Sequence, residues 1–177
     1  MTAWISPDAT VQGNVTLGDG CRIMPGARVV AESGGTITLG RNCIVLENAV
    51  IRATGSHPCV IGDHCLIGPS AHIVGATLED QVFIATSAAV FHGAHLGRGS
   101  EVRVHATVHL RTTLPPSTVV PIGWVAVGGQ ILSPDKHEEI WAAQKPLDFP
   151  GYVYGIDRET PDLMVHVTTR LSTALGE

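Results

Sequence analysis

The stretch IGDHCLIGPSAHIVGATLEDQVFIATSAAVFHGAHLG, residues 61–97, carries an aliphatic residue at Ile61, Ile67, Ile73, Leu78, Ile84, Val90 and Leu96. Every step is six residues except the one from Ile73 to Leu78, which is five. A fixed short period of this kind is neither helical spacing nor simple strand alternation, and it outranks other local signals. Working outward, the same ladder takes in Ile5, Val11, Leu17, Ile23, Val29, Leu39, Val45 and Ile51 before the stretch, and Val102, Val108 and Val119 after it. Further irregular steps leave Val29, Ile51 and Val108, with lengths of ten, ten and eleven. If three repeats make one coil, all four irregular steps leave the same one of its three faces. The expectation is an all-β solenoid, a parallel β-helix whose coil has three short strands and tolerates insertions at one corner. The eighteen aliphatics then make about six coils, each rising by about 4.8 Å.

Two residues before each aliphatic the site is usually small, as at Ala9, Cys21, Ala27, Cys43, Ala49, Cys59, Cys65, Ala71, Ala88, Ser100 and Ala106. A narrow prism needs one large side chain pointing in at mid-strand and a small one where the chain turns. All four cysteines fall at this inward site without any CxxC pairing, which marks them as core thiols rather than metal ligands or disulfide partners. Glycine recurs on the third face in LGDG, LGRN, IGDH and LGRG, where tight turns use its freedom in φ. A sheet of hairpins would need alternating strands and two-residue turns, and neither pattern runs through the ladder.

Hydrophobic residues make up 44% of the 177, enough for a core without staples. Lys and Arg total 11 against 16 Asp and Glu, a formal charge of -5, with no basic run. That excludes nucleic acid and anionic membrane surfaces as expected partners. The opening MTAWISPDAT has no signal-peptide character, and no stretch approaches a spanning helix, so the expected location is cytoplasmic. The period stops in VAVGGQIL, after Trp124. Ser133 and Pro134 read as an N-cap and first helical position, and a second helix starts near Thr160 and Pro161 with Met164, Val167, Leu171 and Leu175 as its apolar stripe. The expected organisation is a β-helix over residues 1–128 and a helical extension over 129–177 that packs on the prism or across a subunit boundary.

The 61–97 stretch, its five-residue step and the helical tail resemble the γ-class carbonic anhydrases and their hexapeptide-repeat relatives. The resemblance implies a left-handed β-helix with C-terminal α-helices and a homotrimer with metal sites between subunits. It also implies where the metal ligands should stand. The family's first ligand histidine is replaced by Arg52, and the second and third by Pro69 and Val74. Ala31, Glu32 and Ser33 replace its Arg-Gly-Asp element, and Leu46 and Glu47 its Gln-Asp pair. A catalytic zinc takes about three nitrogen, sulfur or carboxylate ligands, and an arginine, a proline and a valine supply none. The expectation is therefore a metal-free scaffold without carbonic anhydrase activity, binding a small anionic ligand or a protein partner. The segment VVAESGGTITLGRNCIVLENAVI is also similar to hexapeptide subunits of the dynactin pointed-end complex, which act as structural parts.

Five residues are candidates for a ligand pocket: Glu47, Arg52, His57, His92 and His109. Arg52 and Glu47 lie near the former metal position with His57 in the corner loop RATGSHP, and a guanidinium suits carboxylate or phosphate. The competing reading pairs Arg52 with Glu47 in place of the lost ion. His109 falls in the outward column with Arg52, Val74 and Phe91, and His92 at the neighbouring corner; the plainer alternative makes both backbone-bonded surface histidines. No cofactor is predicted on this main reading. An alternative is an acyl-CoA-dependent acyltransferase or thioesterase, since many hexapeptide proteins bind CoA between subunits. Against it, no long corner loop reads as carrying a catalytic histidine, and Gly128, Gly129 and Gln130 replace the usual Pro-Ala-Lys-like element. Another alternative is a zinc-dependent hydratase or hydrolase with ligands drawn from His57, His72, His92 or His109. Outward Val30, Val74 and Phe91 suggest a buried lateral surface between subunits.

Overall fold

The aliphatic ladder points into the axis of a three-sided prism. A computed structural model describes residues 2–175. The first face stacks parallel strands at Trp4–Ile5, Arg22–Ile23, Ile44–Val45, Leu66–Ile67, Phe83–Ile84, Glu101–Val102 and Val119–Val120. The second stacks Thr10–Gln12, Arg28–Ala31, Val50–Ala53, His72–Val74, Ala89–Val90, Thr107–Val108 and Val125–Val127. The third stacks Val15–Leu17, Ile37–Leu39, Cys59–Ile61, Thr77–Leu78, His95–Leu96 and Thr113–Leu114. Register places aliphatic over aliphatic: Ile51 pairs with Ile73 and Ile73 with Val90 on the second face. These residues are fully buried together with the alanines and cysteines of the small site. Burying each such side chain contributes roughly 1.5–3 kcal/mol, so the stack is the main source of stability.

The prism has about seven turns rather than about six, and the end of the ladder is where sequence reading slipped. Val120 is the inward residue and Val119 is 45% exposed. Leu114 and Ala126 also point inward, so the step of six runs unbroken from Val108 through Leu114 and Val120 to Ala126. The eleven-residue step does not exist. Thr112 disguised this coil: it fills the site that elsewhere holds a small residue, and its hydroxyl bonds Leu110 and Ala126 carbonyls at 3.4 and 3.5 Å. The remaining irregular steps, after Val29, Ile51 and Ile73, all leave the second face.

The turn glycines need a second correction. A Cβ at Gly40 would fall 2.4 Å from Asp63 Oδ1 and 2.7 Å from the Gly62 carbonyl carbon, so close stacking of coils, not φ, requires glycine there. The left-handed position of the same turns is taken by Gly20, Asn42, His64, Gln81, Gly99 and Ser117. His64 is thus accounted for by turn geometry, as is His105 at another corner with φ of 55°.

Past Val127 the chain does make one hairpin. Val125–Val127 pairs antiparallel with Gln130–Leu132 across Gly128 and Gly129, both at positive φ, which closes that end of the second sheet. Helix α1 then spans His137–Gln144, starting later than Pro134 because Ser133 bonds the Asp135 side chain and Lys136 holds the cap position. None of its residues is buried, and Trp141 is exposed. A 3-10 turn at Lys145–Leu147 and a π-helical turn at Pro150–Tyr154 lead to helix α2, Leu163–Leu175. Of its expected stripe Val167 is buried and Leu171 half-buried, while Met164 and Leu175 are exposed.

Candidate functional site

Outward residues of the second face form a column. Gln12, Val30, Arg52 and Val74 stand in register, and Phe91 and His109 continue it in the next two coils. Phe91 and His109 stack with ring centroids 5.6 Å apart. The segment after α1 folds back over this column. Phe149 sets its ring edge-on to Phe91 at 6.2 Å and to His92 at 6.3 Å, and Tyr152 lies 4.9 Å from His57. The Arg111 guanidinium covers the other side of Tyr152 at 4.9 Å, a cation–π contact that holds the strap down. Between strap, α2 and sheet is a chamber of about 350 Å³.

Its polar lining comes from Glu32, Arg52, His72, His92, Tyr154 and Arg170. Val74, Phe91, Val153 and Leu171 supply apolar wall. Arg52 and Glu32 form an ion pair from adjacent coils, and Arg170 donates to the Tyr154 carbonyl. His92 is 7% exposed and its Nδ1 has no hydrogen-bond partner. Burial pushes its pKa down to about 4, with His57, Arg52 and His72 adding like-charge repulsion. Burial also lowers His57 and His72, the latter helped by Arg52. At neutral pH these rings are neutral, able to accept a proton, while the two guanidiniums stay charged.

The candidates scatter around this chamber. Arg52 and His92 line it, and His57 stands behind His92 with centroids 5.1 Å apart. His109 stays outside the lining, its Nδ1 accepting the Leu110 N–H at 2.8 Å. Glu47 is at a corner, where its carbonyl accepts the Ser70 N–H at 3.0 Å, and the partner of Arg52 is Glu32 instead. Glu32 reaches Arg52 because Val30 pairs with Arg52 across the strands, placing Glu32 at the end of the neighbouring strand. Tyr154 and Arg170 stand outside every sequence-based candidate set, and His72 enters only among the ligands of the alternative zinc reading. His72 faces the chamber from the strand register, a signal the repeat does contain, whereas the tail residues arrive only through tertiary folding.

Val74 and Phe91 meet the chain's own tail, at Val153, Leu171 and Phe149. Of the three positions the resemblance assigns to metal ligands, Arg52 and Val74 are adjacent in register, while Pro69 lines a groove on the first face. These side chains do not fit a zinc ion, and among the described residues no three His, Cys, Asp or Glu converge as a cage. All four cysteines are buried, and burial pushes Cys59 up to about 12. Among the described residues no helix is long and apolar enough to cross a membrane.

No protein-family model matches the chain, and no curated protein matches it significantly. Solved structures do. PerB from Caulobacter crescentus, in complex with CoA and GDP-perosamine, is 24% identical with a TM-score of 0.58 over 75% of this chain and 58% of that one. The fold is that of the hexapeptide-repeat left-handed β-helices. WeeI from Acinetobacter baumannii is 24% identical, with a TM-score of 0.53 over 72% of this chain and 56% of that one. A hexapeptide transferase family protein from Anaplasma phagocytophilum is 22% identical, with a TM-score of 0.50 over 82% and 83% of the two chains. The present chain thus spans little more than half the length of PerB and WeeI.

Proposed function

We propose that this β-helix is a CoA-dependent acyltransferase in which His92 is the general base. The observation that carries the reading is a buried, neutral imidazole with an unpartnered ring nitrogen, on the wall of a partly open chamber. The structural neighbours support it: PerB was crystallised with CoA and GDP-perosamine, and perosamine N-acetyltransferase was also crystallised with both as a histidine-to-asparagine mutant. They favour acyl transfer over the carbonic-anhydrase-like reading. The corner loop also speaks for it, because RATGSHP does bring a histidine, His57, against the proposed base.

In the proposed reaction His92 takes the proton of an acceptor amine or hydroxyl as that atom attacks the thioester carbonyl. The tetrahedral intermediate collapses with cleavage of the C–S bond. The departing CoA thiolate recovers the proton from His92. Such base catalysis contributes about 10²–10⁴-fold. A chamber of about 350 Å³ is at the small end of ligand sites and takes the reacting end of the substrates, leaving the nucleotide of CoA outside.

CoA at micromolar concentration is expected to raise the melting temperature, and acetyl-CoA with an amine acceptor to release free thiol. His92→Asn should lower that release by about 10²-fold or more while leaving CoA stabilisation in place. Absence of any CoA-dependent stabilisation would refute the proposal. The second reading, a metal-free γ-carbonic-anhydrase-like binding protein, is favoured by the loss of ligand positions at Arg52 and Val74 with the coil intact. Near-stoichiometric zinc in purified protein would remove that one.

A further inference from the structure

The chamber under the tail is electrostatically one-sided. Two guanidiniums, Arg52 from the sheet and Arg170 from α2, enter it from opposite walls, joined by neutral His72 and His92. Among the described residues a single carboxylate, that of Glu32, lines it, and it is already paired with Arg52. Arg170 by contrast bonds only a backbone carbonyl, a neutral acceptor that leaves most of its five donors open. The remaining wall, Val74, Phe91, Val153 and Leu171, is apolar.

We infer that the chamber binds a small organic carboxylate with an apolar body, and that Glu32 is its built-in competitor. The ligand's carboxylate takes the place of the Glu32 side chain on Arg52 and gains Arg170, while its body lies against Phe91, Val74 and Leu171. Displacing Glu32 costs the ligand one charge-assisted pair, so the chamber is tuned below the affinity two free arginines would give. Glu32 reaches solvent easily when displaced, because it also borders an open cleft beside Ser33, Gly34 and Gly35. The volume suits a six- to ten-carbon acid and excludes anything the size of a nucleotide cofactor. The inference does not depend on acyl transfer, since binding requires no CoA.

The test is calorimetric titration of the full chain with hexanoate and phenylacetate, with the matching amides, and with inorganic phosphate, all without CoA. Carboxylates are expected to bind. Amides should bind at least about tenfold more weakly, since a hydrogen bond to a charged group is worth about that. Phosphate should do likewise, because it has no apolar body to lie against Phe91, Val74 and Leu171. Arg170→Gln, an exposed position that folding tolerates, should weaken the carboxylates by a similar factor. Glu32→Gln should tighten them severalfold, the opposite sign. Arg41→Gln, whose partner Asp63 is on the third face, should change nothing. Amides or phosphate binding as well as carboxylates, an unchanged Arg170→Gln, a weakened Glu32→Gln, or no carboxylate binding by the wild type each overturns it. Loss of carboxylate binding with CoA stabilisation retained removes this inference alone, and the reverse result removes acyl transfer alone.

Discussion

The first and second faces of the prism are built by the same repeat and do different things. Inward they match, with Val45, Ile67 and Ile84 on one and Ile51, Ile73 and Val90 on the other, all buried to the same degree. Outward they diverge. The first face leaves Trp4, Ile44, Leu66, Val119 and Ile122 exposed, and no described residue returns to cover them. The second carries Arg52, His72, Phe91 and His92 and receives the strap at Phe149 and Tyr152. The insertions all leave the second face too, and one of them supplies His57. The lesson is that the solenoid fixes a scaffold and that chemistry is written on it by outward residues free of the repeat.

The largest effect should come from the part the faces share. Ile51→Ala removes a fully buried mid-strand side chain and should cost about 2–5 kcal/mol in urea unfolding, whichever face is probed. A smaller effect should separate the faces. Phe149→Ala strips an aromatic neighbour from Phe91 and His92 and should cost about 2 kcal/mol while raising the His92 pKa from about 4 toward the ordinary value, read by NMR titration. Phe83→Ala on the first face should leave that titration unmoved; an equal shift would mean the faces are not independent.

Acid should act on the second face next. The folded-state pKa of His92 is lowered, so between about 6.5 and 4 the unfolded chain binds more protons and stability falls as pH falls. This contribution is fully present above pH ~6.5 and is lost through the folded pKa near 4, with His57 and His72 acting in the same direction. Denaturant midpoints should decline across that window, and the decline should be shallower in His92→Asn. The smallest effect belongs to the bare face. Ile122→Asp, at a 68% exposed position, should shift stability by about 0.5 kcal/mol or less. If this face joins copies of the chain, sedimentation should report a smaller particle for the variant; an unchanged mass would place any such interface elsewhere.

Reading the site from sequence worked where register alone decides. Arg52 and His92 could be placed because columns follow from counting sixes, and the same counting moves His72 from the zinc alternative to the chamber wall. Glu47 enters as the counterpart of the family's Gln-Asp pair, and the structure passes over it for Glu32 in the neighbouring coil. Val119 and Val120 are equivalent to a reader of the sequence, and only burial separates them, because Thr112 fills the site that elsewhere holds a small residue.

The inward ladder was settled by the sequence on its own, because burial on a prism repeats every six residues and each coil needs only its neighbours. The chamber was decided by tertiary structure, because residues facing outward obey no period. Arg170, Phe149 and Tyr154 reach Arg52 and Phe91 only when a distant tail folds back onto the sheet.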